Sequence, residues 1–339
     1  MAPGSHREIA IDGVGMRFAL MCEPQQGLAY DELLALARAA EAAGFETFFR
    51  SDHYTSFPGE AGLPTTDAWA TLAGLGRETR RIGLGVLVSP VTFRPPGQLA
   101  KVVTTVDEMS GGRVEVGLGA GWNEREHAEY GFPFPDVRAR FDMLEEQLEI
   151  LHGLWTEPAG WSFEGRFWQI RGGRLVPPPV ERAGRSHPNL IVGGEGKPRT
   201  ARLAARWADE FNVSSLAPDA AREAFGRVAR ACEDAGRDPG SMVRSAMVGV
   251  LVAPTAREVS GRVRALLRML GRDVDGAEAW LEERRPRWII GTHDEALAQV
   301  ERFRAAGAER LMLQDLLPRD LAMVHELGEL FDLPAGRDG

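Results

Sequence analysis

The sequence predicts an α/β fold, a (β/α)8 TIM-like barrel with an inserted hairpin after the fourth strand and extra helices near the C-terminus. Three observations lead there. Short apolar stretches, eight of them, alternate with helical patterns across roughly 320 residues. The glycine-rich turns follow the fourth and fifth strands, whereas a doubly wound open sheet would put such a turn after the first. The chain of 339 residues is long enough to bury one large core. In a barrel every strand delivers its loop to one face, so those turns meet at a single rim.

Taken in order, Arg17–Met21 reads as the first strand, and Tyr30–Gly44 as a helix with Leu33, Leu36, Ala37 and Ala40 on one side. Glu46–Arg50 is the second strand, followed by a long loop over 51–66 and a helix capped by Asp67. Ile82–Val88 is the third strand and Pro96–Met109 the next helix. Arg113–Leu118 is the fourth strand. It runs into Gly117, Gly119 and Gly121 at alternate positions, then Trp122 and a helical start at Asn123. Those glycines have two readings, close approach of a ligand or room for a neighbouring strand.

Asp136–Trp155 is a long amphipathic helix with Leu144, Leu148, Leu151 and Trp155 along one face. The Trp161–Phe163 and Phe167–Ile170 stretches around Gly165 read as a β-hairpin within an insertion at about 156–180. Asn189–Val192 and Glu210–Val213 are the fifth and sixth strands, each followed by a helix. Met242–Val252 is the seventh strand, with helical material to about Arg285 behind it. A helix over 294–306 leads to Arg310–Leu313, the eighth strand, and Leu321–Phe331 ends the pattern. Residues 1–15 read as a disordered extension or tag remnant, leaving 16–335 as one barrel domain.

Composition narrows the function. A net charge of −9 leaves no basic excess for nucleic acid. No apolar run is long enough for a membrane span. Two cysteines, Cys22 and Cys232, form no disulfide framework and fit a reducing cytoplasm. The histidines lack metal-ligand spacing, no HExxH occurs, and no metal is expected. The absence of GxSxG counts against a serine hydrolase.

Three segments could carry chemistry. Ser51-Asp52-His53 ends the second strand, where a histidine can exchange a proton near neutral pH; a plain loop turn is the alternative. Ser89-Pro90 ends the third strand and is a candidate cis bond by base rate. Gly193-Gly194-Glu195-Gly196-Lys197-Pro198 joins the fifth strand to a helix, and free N–H groups there suit a phosphate. Tyr54, Phe57 and Trp168 suggest an aromatic pocket.

Several stretches together resemble the bacterial-luciferase-like superfamily: Leu36–Tyr54 (LARAAEAAGFETFFRSDHY), Arg81–Arg94 (RIGLGVLVSPVTFR), Ala100–Trp122 (AKVVTTVDEMSGGRVEVGLGAGW), Arg140–Trp155 and Leu190–Asp209. The similarity runs from Met16 to about Leu333 and is nearest the coenzyme F420-dependent oxidoreductase branch. It implies a deazaflavin ring over the third strand, at a bulge holding a non-prolyl cis peptide at Val88–Ser89. It implies ring contacts from Asp52 and His53, and phosphate contacts from Gly119, Ala120, Gly121 and Trp122 and from Gly193, Gly194, Glu195 and Gly196. The hairpin would border the substrate cavity, Lys197 and Arg199 would face the cofactor's acidic tail, and a homodimer is expected. The mechanism it implies is hydride transfer between the deazaflavin C5 and a small organic substrate, with His53 handling the proton. FMN with oxygen, giving a monooxygenase, is the alternative cofactor reading, and a non-catalytic cofactor-binding barrel is a third.

Overall fold

The computed structural model of the protein describes residues 15–59, 61–182 and 184–334. Residues 1–14 and 335–339 lie outside them, and with them nearly all of the expected N-terminal extension and the last residue of the expected domain. The first half runs β1 (Arg17–Cys22), α1 (Tyr30–Ala42), β2 (Thr47–Arg50), α2 (Ala68–Glu78), β3 (Gly83–Pro90), α3 (Pro96–Ser110), β4 (Val114–Gly119), α4 (Glu124–Tyr130) and α5 (Val137–Thr156). The hairpin is β5 (Trp161–Glu164) and β6 (Gln169–Gly173). The second half runs β7 (Asn189–Gly193), α6 (Pro198–Trp207), β8 (Glu210–Ser214), α7 (Pro218–Asp234), β9 (Val243–Ala253), α8 (Ala256–Met269), α9 (Ala277–Arg284), β10 (Ile289–Thr292), α10 (His293–Ala305), β11 (Arg310–Asp315) and α11 (Leu321–Leu330).

Eight parallel strands close the barrel in the order β1, β2, β3, β4, β7, β8, β9, β11 and back to β1. The helices bury their apolar faces on its outside. Leu33, Leu36, Ala37 and Ala40 of α1 and Leu144, Leu148, Leu151 and Trp155 of α5 are all buried. Asp67 and Asp136 cap α2 and α5 by accepting the N–H of Ala70 and of Ala139 at 2.9 and 2.8 Å. Inside, Ala19, Met21, Phe49, Leu87, Ile191 and Met312 form the apolar filling. Below them Arg310 donates to Glu115 at 2.7 Å and to Glu210 at 3.0 Å, and Asn189 bridges the two carboxylates. Burial alone would raise the Glu115 pKa; the Arg310 guanidinium outweighs it and holds the carboxylate low. This ionic floor lies at the amino end of the barrel.

Two features depart from the sequence expectation. The first is β10, an additional parallel strand. β9 outlasts β8, whose last pairing is Ser214 with Met247. β10 pairs with Val250–Ala253 of the edge thus left open. The hairpin also sits elsewhere. It packs against α5, where Glu146 accepts the N–H groups of Arg166, Phe167 and Trp168 and the Trp161 ring covers Gly153.

Candidate active site

At the carboxyl end of β3 the ladder to β4 skips. Val86 pairs with Val116, and the next pairing is Ser89 with Leu118, so a bulge holds Leu87 and Val88. The non-prolyl cis peptide lies at Leu87–Val88, and two X-Pro bonds, Phe57–Pro58 and Val176–Pro177, are also cis. That corrects both expected positions, Ser89–Pro90 and Val88–Ser89, by one or two residues. The bulge also gives two of the β4 glycines a packing role. A Cβ on Gly119 would come within 2.7 Å of a Val88 methyl, and one on Gly117 within 2.5 Å of the Val86 carbonyl oxygen. The bare strand therefore receives the bulge of β3, and the Gly119 face expected to meet a cofactor is occupied by Val88.

Asp52 and Ser89, both expected at the ring, are almost wholly buried. Arg94 donates to Asp52 at 2.5 Å and to Asp67 at 2.5 Å; Ser89 donates to Asp52 at 2.8 Å and accepts the Trp69 indole N–H at 3.0 Å. Burial works against the Arg94 charge, but the Asp52 and Asp67 carboxylates raise its pKa above the usual guanidinium value. Asp52 is thus spent on an ion pair that pins the β2 loop to the β3 loop. Tyr54 belongs to the same network: its hydroxyl donates to Asp67 at 2.6 Å, and its ring packs on Phe93 and Phe132. It does not line the cavity described next, and neither does Trp168, which stays with the hairpin on α5.

His53 stands differently. Its Nδ1 lies 2.9 Å from Glu126 Oε1 and 3.1 Å from Oε2, and Glu126 also accepts the Tyr54 N–H at 3.1 Å. Nε2 makes no hydrogen bond among the described residues. The ring packs edge-on against Phe57 and Trp122, with centroids 4.5 and 5.8 Å away. Arg125 donates to the Ser56 carbonyl at 2.7 Å, so α4 grips the loop twice.

His53, Phe57 and Trp122 line a cavity of about 470 Å³ at the carboxyl ends of the strands, a small-molecule size. Glu23, Gln25 and Gln26 after β1, Ser214 and Ser215 at the end of β8, and Gln314 on β11 give its polar lining. Its outer wall is the α8–β10 segment, with Leu266, Leu270, Arg272, Trp280, Arg284, Arg287 and Trp288. This wall takes the place expected of the hairpin. It is seated on the barrel because the Trp288 ring lies on the bare face of Gly249 in β9, and Arg284 packs over the Trp280 ring at 4.1 Å. Sequence reasoning missed Glu126, Arg94 and this wall. A glutamate in the first turn of α4 was visible, but nothing local ties it to a histidine 73 residues away.

Gly193, Gly194, Glu195 and Gly196 lead from β7 into the N-terminus of α6. The N–H groups of Glu195, Gly196 and Lys197 have no acceptor among the described residues. Arg227 donates to the carbonyls of Glu195 and Gly196 at 2.9 and 3.0 Å, leaving those N–H groups open to an anion. Lys197 pairs with Glu195 at 2.8 Å on the surface, and Arg199 is committed to Asp142, so Arg199 is not the free cation expected for an acidic tail. Ala120 and Gly121 form the turn from β4 toward Trp122, which is two-thirds exposed beside His53.

A family model described as luciferase-like monooxygenase matches residues 16–310. The chain is 35% identical over 191 residues to an uncharacterized protein of Mycobacterium tuberculosis (52% of this chain, 64% of that protein). It is 29% identical over 307 residues to the F420-dependent glucose-6-phosphate dehydrogenase of Intrasporangium calvum, over 83% of this chain and 88% of that one. The match thus spans less than two thirds of the mycobacterial relative. Among solved structures, an F420-dependent secondary alcohol dehydrogenase with an F420-acetone adduct superposes with a TM-score of 0.79 at 22% identity, covering 96% of this chain and 100% of that one. A monooxygenase from Streptomyces bottropensis superposes at 0.77 and 23%, over 93% and 97%. At such identities these two structures establish the shared fold.

Proposed function

We propose that this chain, which belongs to the luciferase-like monooxygenase family, is an oxidoreductase that works with coenzyme F420 on a small organic molecule held beside His53. One observation carries the reading. The imidazole has one nitrogen tied to Glu126 and no partner on the other among the described residues, and it lines a 470 Å³ cavity in a chain with named relatives that depend on F420. Free N–H groups at the start of α6 suit a cofactor phosphate, and the β3 bulge provides a raised backbone at the rim. The residues present therefore fit the group. When bound, F420 would supply a carbon that accepts or gives a hydride.

The chain's own part is positioning and proton handling. His53 Nε2 would take or give the proton that accompanies the hydride. Phe57, Trp122 and Trp280 would shield that transfer from water. Arg272, Arg284 and Arg287 lie on the lining with Glu23, and Arg284 and Arg287 pair with Glu283 at 3.0 and 3.6 Å.

Titration of the purified protein with F420 and with FMN, followed by tryptophan fluorescence, tests the cofactor. The expected result is micromolar F420 binding with FMN at least about tenfold weaker, a difference of about 1.4 kcal/mol. The reverse order would move the reading to flavin chemistry, to be assayed by oxygen consumption. Binding of neither would remove the catalytic reading.

A further inference from the structure

We propose that Glu126 is the positioning residue of this site: from the first turn of α4 it fixes the His53 ring in the tautomer that leaves Nε2 free to accept a proton. The inference deepens the catalytic reading above and rests on it for its purpose, but the tautomer itself can be measured without cofactor or substrate.

The argument is one of donors and acceptors. Both Glu126 oxygens lie within reach of Nδ1, at 2.9 and 3.1 Å. An ionised carboxylate only accepts, so Nδ1 must donate. A neutral imidazole has one N–H, so the lone pair is then on Nε2. The glutamate is about 1% exposed, so little water competes for the contact. Its Oε2 also accepts the N–H of Tyr54, the residue after His53, so one carboxylate holds ring and backbone together. Phe57 and Trp122 pack edge-on against the ring and oppose its rotation. A purely structural role, anchoring the long loop, would require the Tyr54 contact alone. Aiming at Nδ1 is what makes the carboxylate a tautomer selector.

The test is nitrogen-15 NMR of histidine-labelled protein without cofactor, at a pH where imidazoles are neutral, with His53→Asn used to assign the ring signals. In the unaltered protein His53 is expected to be protonated at Nδ1. In Glu126→Gln, whose amide can donate or accept, a substantial fraction should shift to the Nε2-protonated tautomer. Melting temperature is recorded alongside, because loss of a loop anchor lowers it without moving the tautomer. An Nε2-protonated ring in the unaltered protein, which needs no variant, overturns the proposal. So does a Glu126→Gln protein that melts lower but keeps the tautomer unchanged. If the protein binds no F420, the cofactor reading fails and this measurement still stands. On an F420-linked turnover assay, Glu126→Gln should lower kcat by about tenfold or more with F420 affinity unchanged.

Discussion

His53 has one nitrogen held by Glu126, no hydrogen-bond partner on the other among the described residues, and a ring that lines the cavity. Its neighbour Asp52 has the opposite fate. The two are adjacent in sequence and point apart, one into the cavity and one into an ion pair with Arg94. Proton transfer by a positioned side chain is worth about 10²–10⁴-fold in rate. His53→Ala should therefore lower F420-linked turnover by about that factor. The side chain is not one of the groups at the start of α6 that suit the phosphate, so F420 affinity should change by less than about threefold, or about 0.7 kcal/mol. Turnover within a factor of two of the unaltered enzyme would remove the proton-transfer role. The Ser-Asp-His triplet was legible because strand ends in a barrel face one rim. The split within it was not, because Arg94 and Glu126, which enforce it, lie 42 and 73 residues away.

Elements show the same division between local and distant causes. The alternation of apolar stretches and helical periodicity marks every barrel strand to within one or two residues, since each must bury both faces between filling and helices. β10 escaped because it exists only where β9 outlasts β8, a property of register that no local pattern records. The hairpin was legible as a hairpin, yet its seat depends on Glu146 and Gly153 of α5. The β4 glycines were ambiguous for a related reason: the group that fills their space, Val88, belongs to another strand. This fit has a measurable consequence. Gly119→Ala would put a methyl 2.7 Å from a Val88 methyl, and overpacking of that kind costs about 1–3 kcal/mol. For a chain of this size the melting temperature should fall by roughly 1–4 °C. Combining it with Val88→Ala should cost less than the sum of the two single changes. Strict additivity would mean that the bulge and the glycine strand are not packed as described.

At the scale of the whole molecule, closure of the barrel brings β11 against β1, and the seam carries a buried acid. Asp315 pairs in register with Cys22 and has no exposed surface. One carboxyl oxygen accepts the Leu317 N–H at 2.9 Å, while the other has no partner among the described residues. Burial pushes its pKa from 3.8 up to about 7. The native state thus keeps a proton that the unfolded chain gives up near pH 4. Between those values the unfolded state binds fewer protons, so stability from this group falls as pH rises. The contribution is fully present below about pH 4 and lost above about pH 7, on the order of a few kcal/mol. Asp315→Asn stays neutral throughout and still offers an oxygen to Leu317. Relative to the unaltered protein it should gain stability steadily from pH 5 to 7 and hold a constant advantage above pH 8. Urea unfolding at intervals over that range reads the difference directly. The comparison is between two proteins that share every other titrating group, so shifts such as that of Glu115 cancel. A difference that does not vary with pH would mean that the seam admits water to Asp315 and that the barrel closes less tightly there than its register implies.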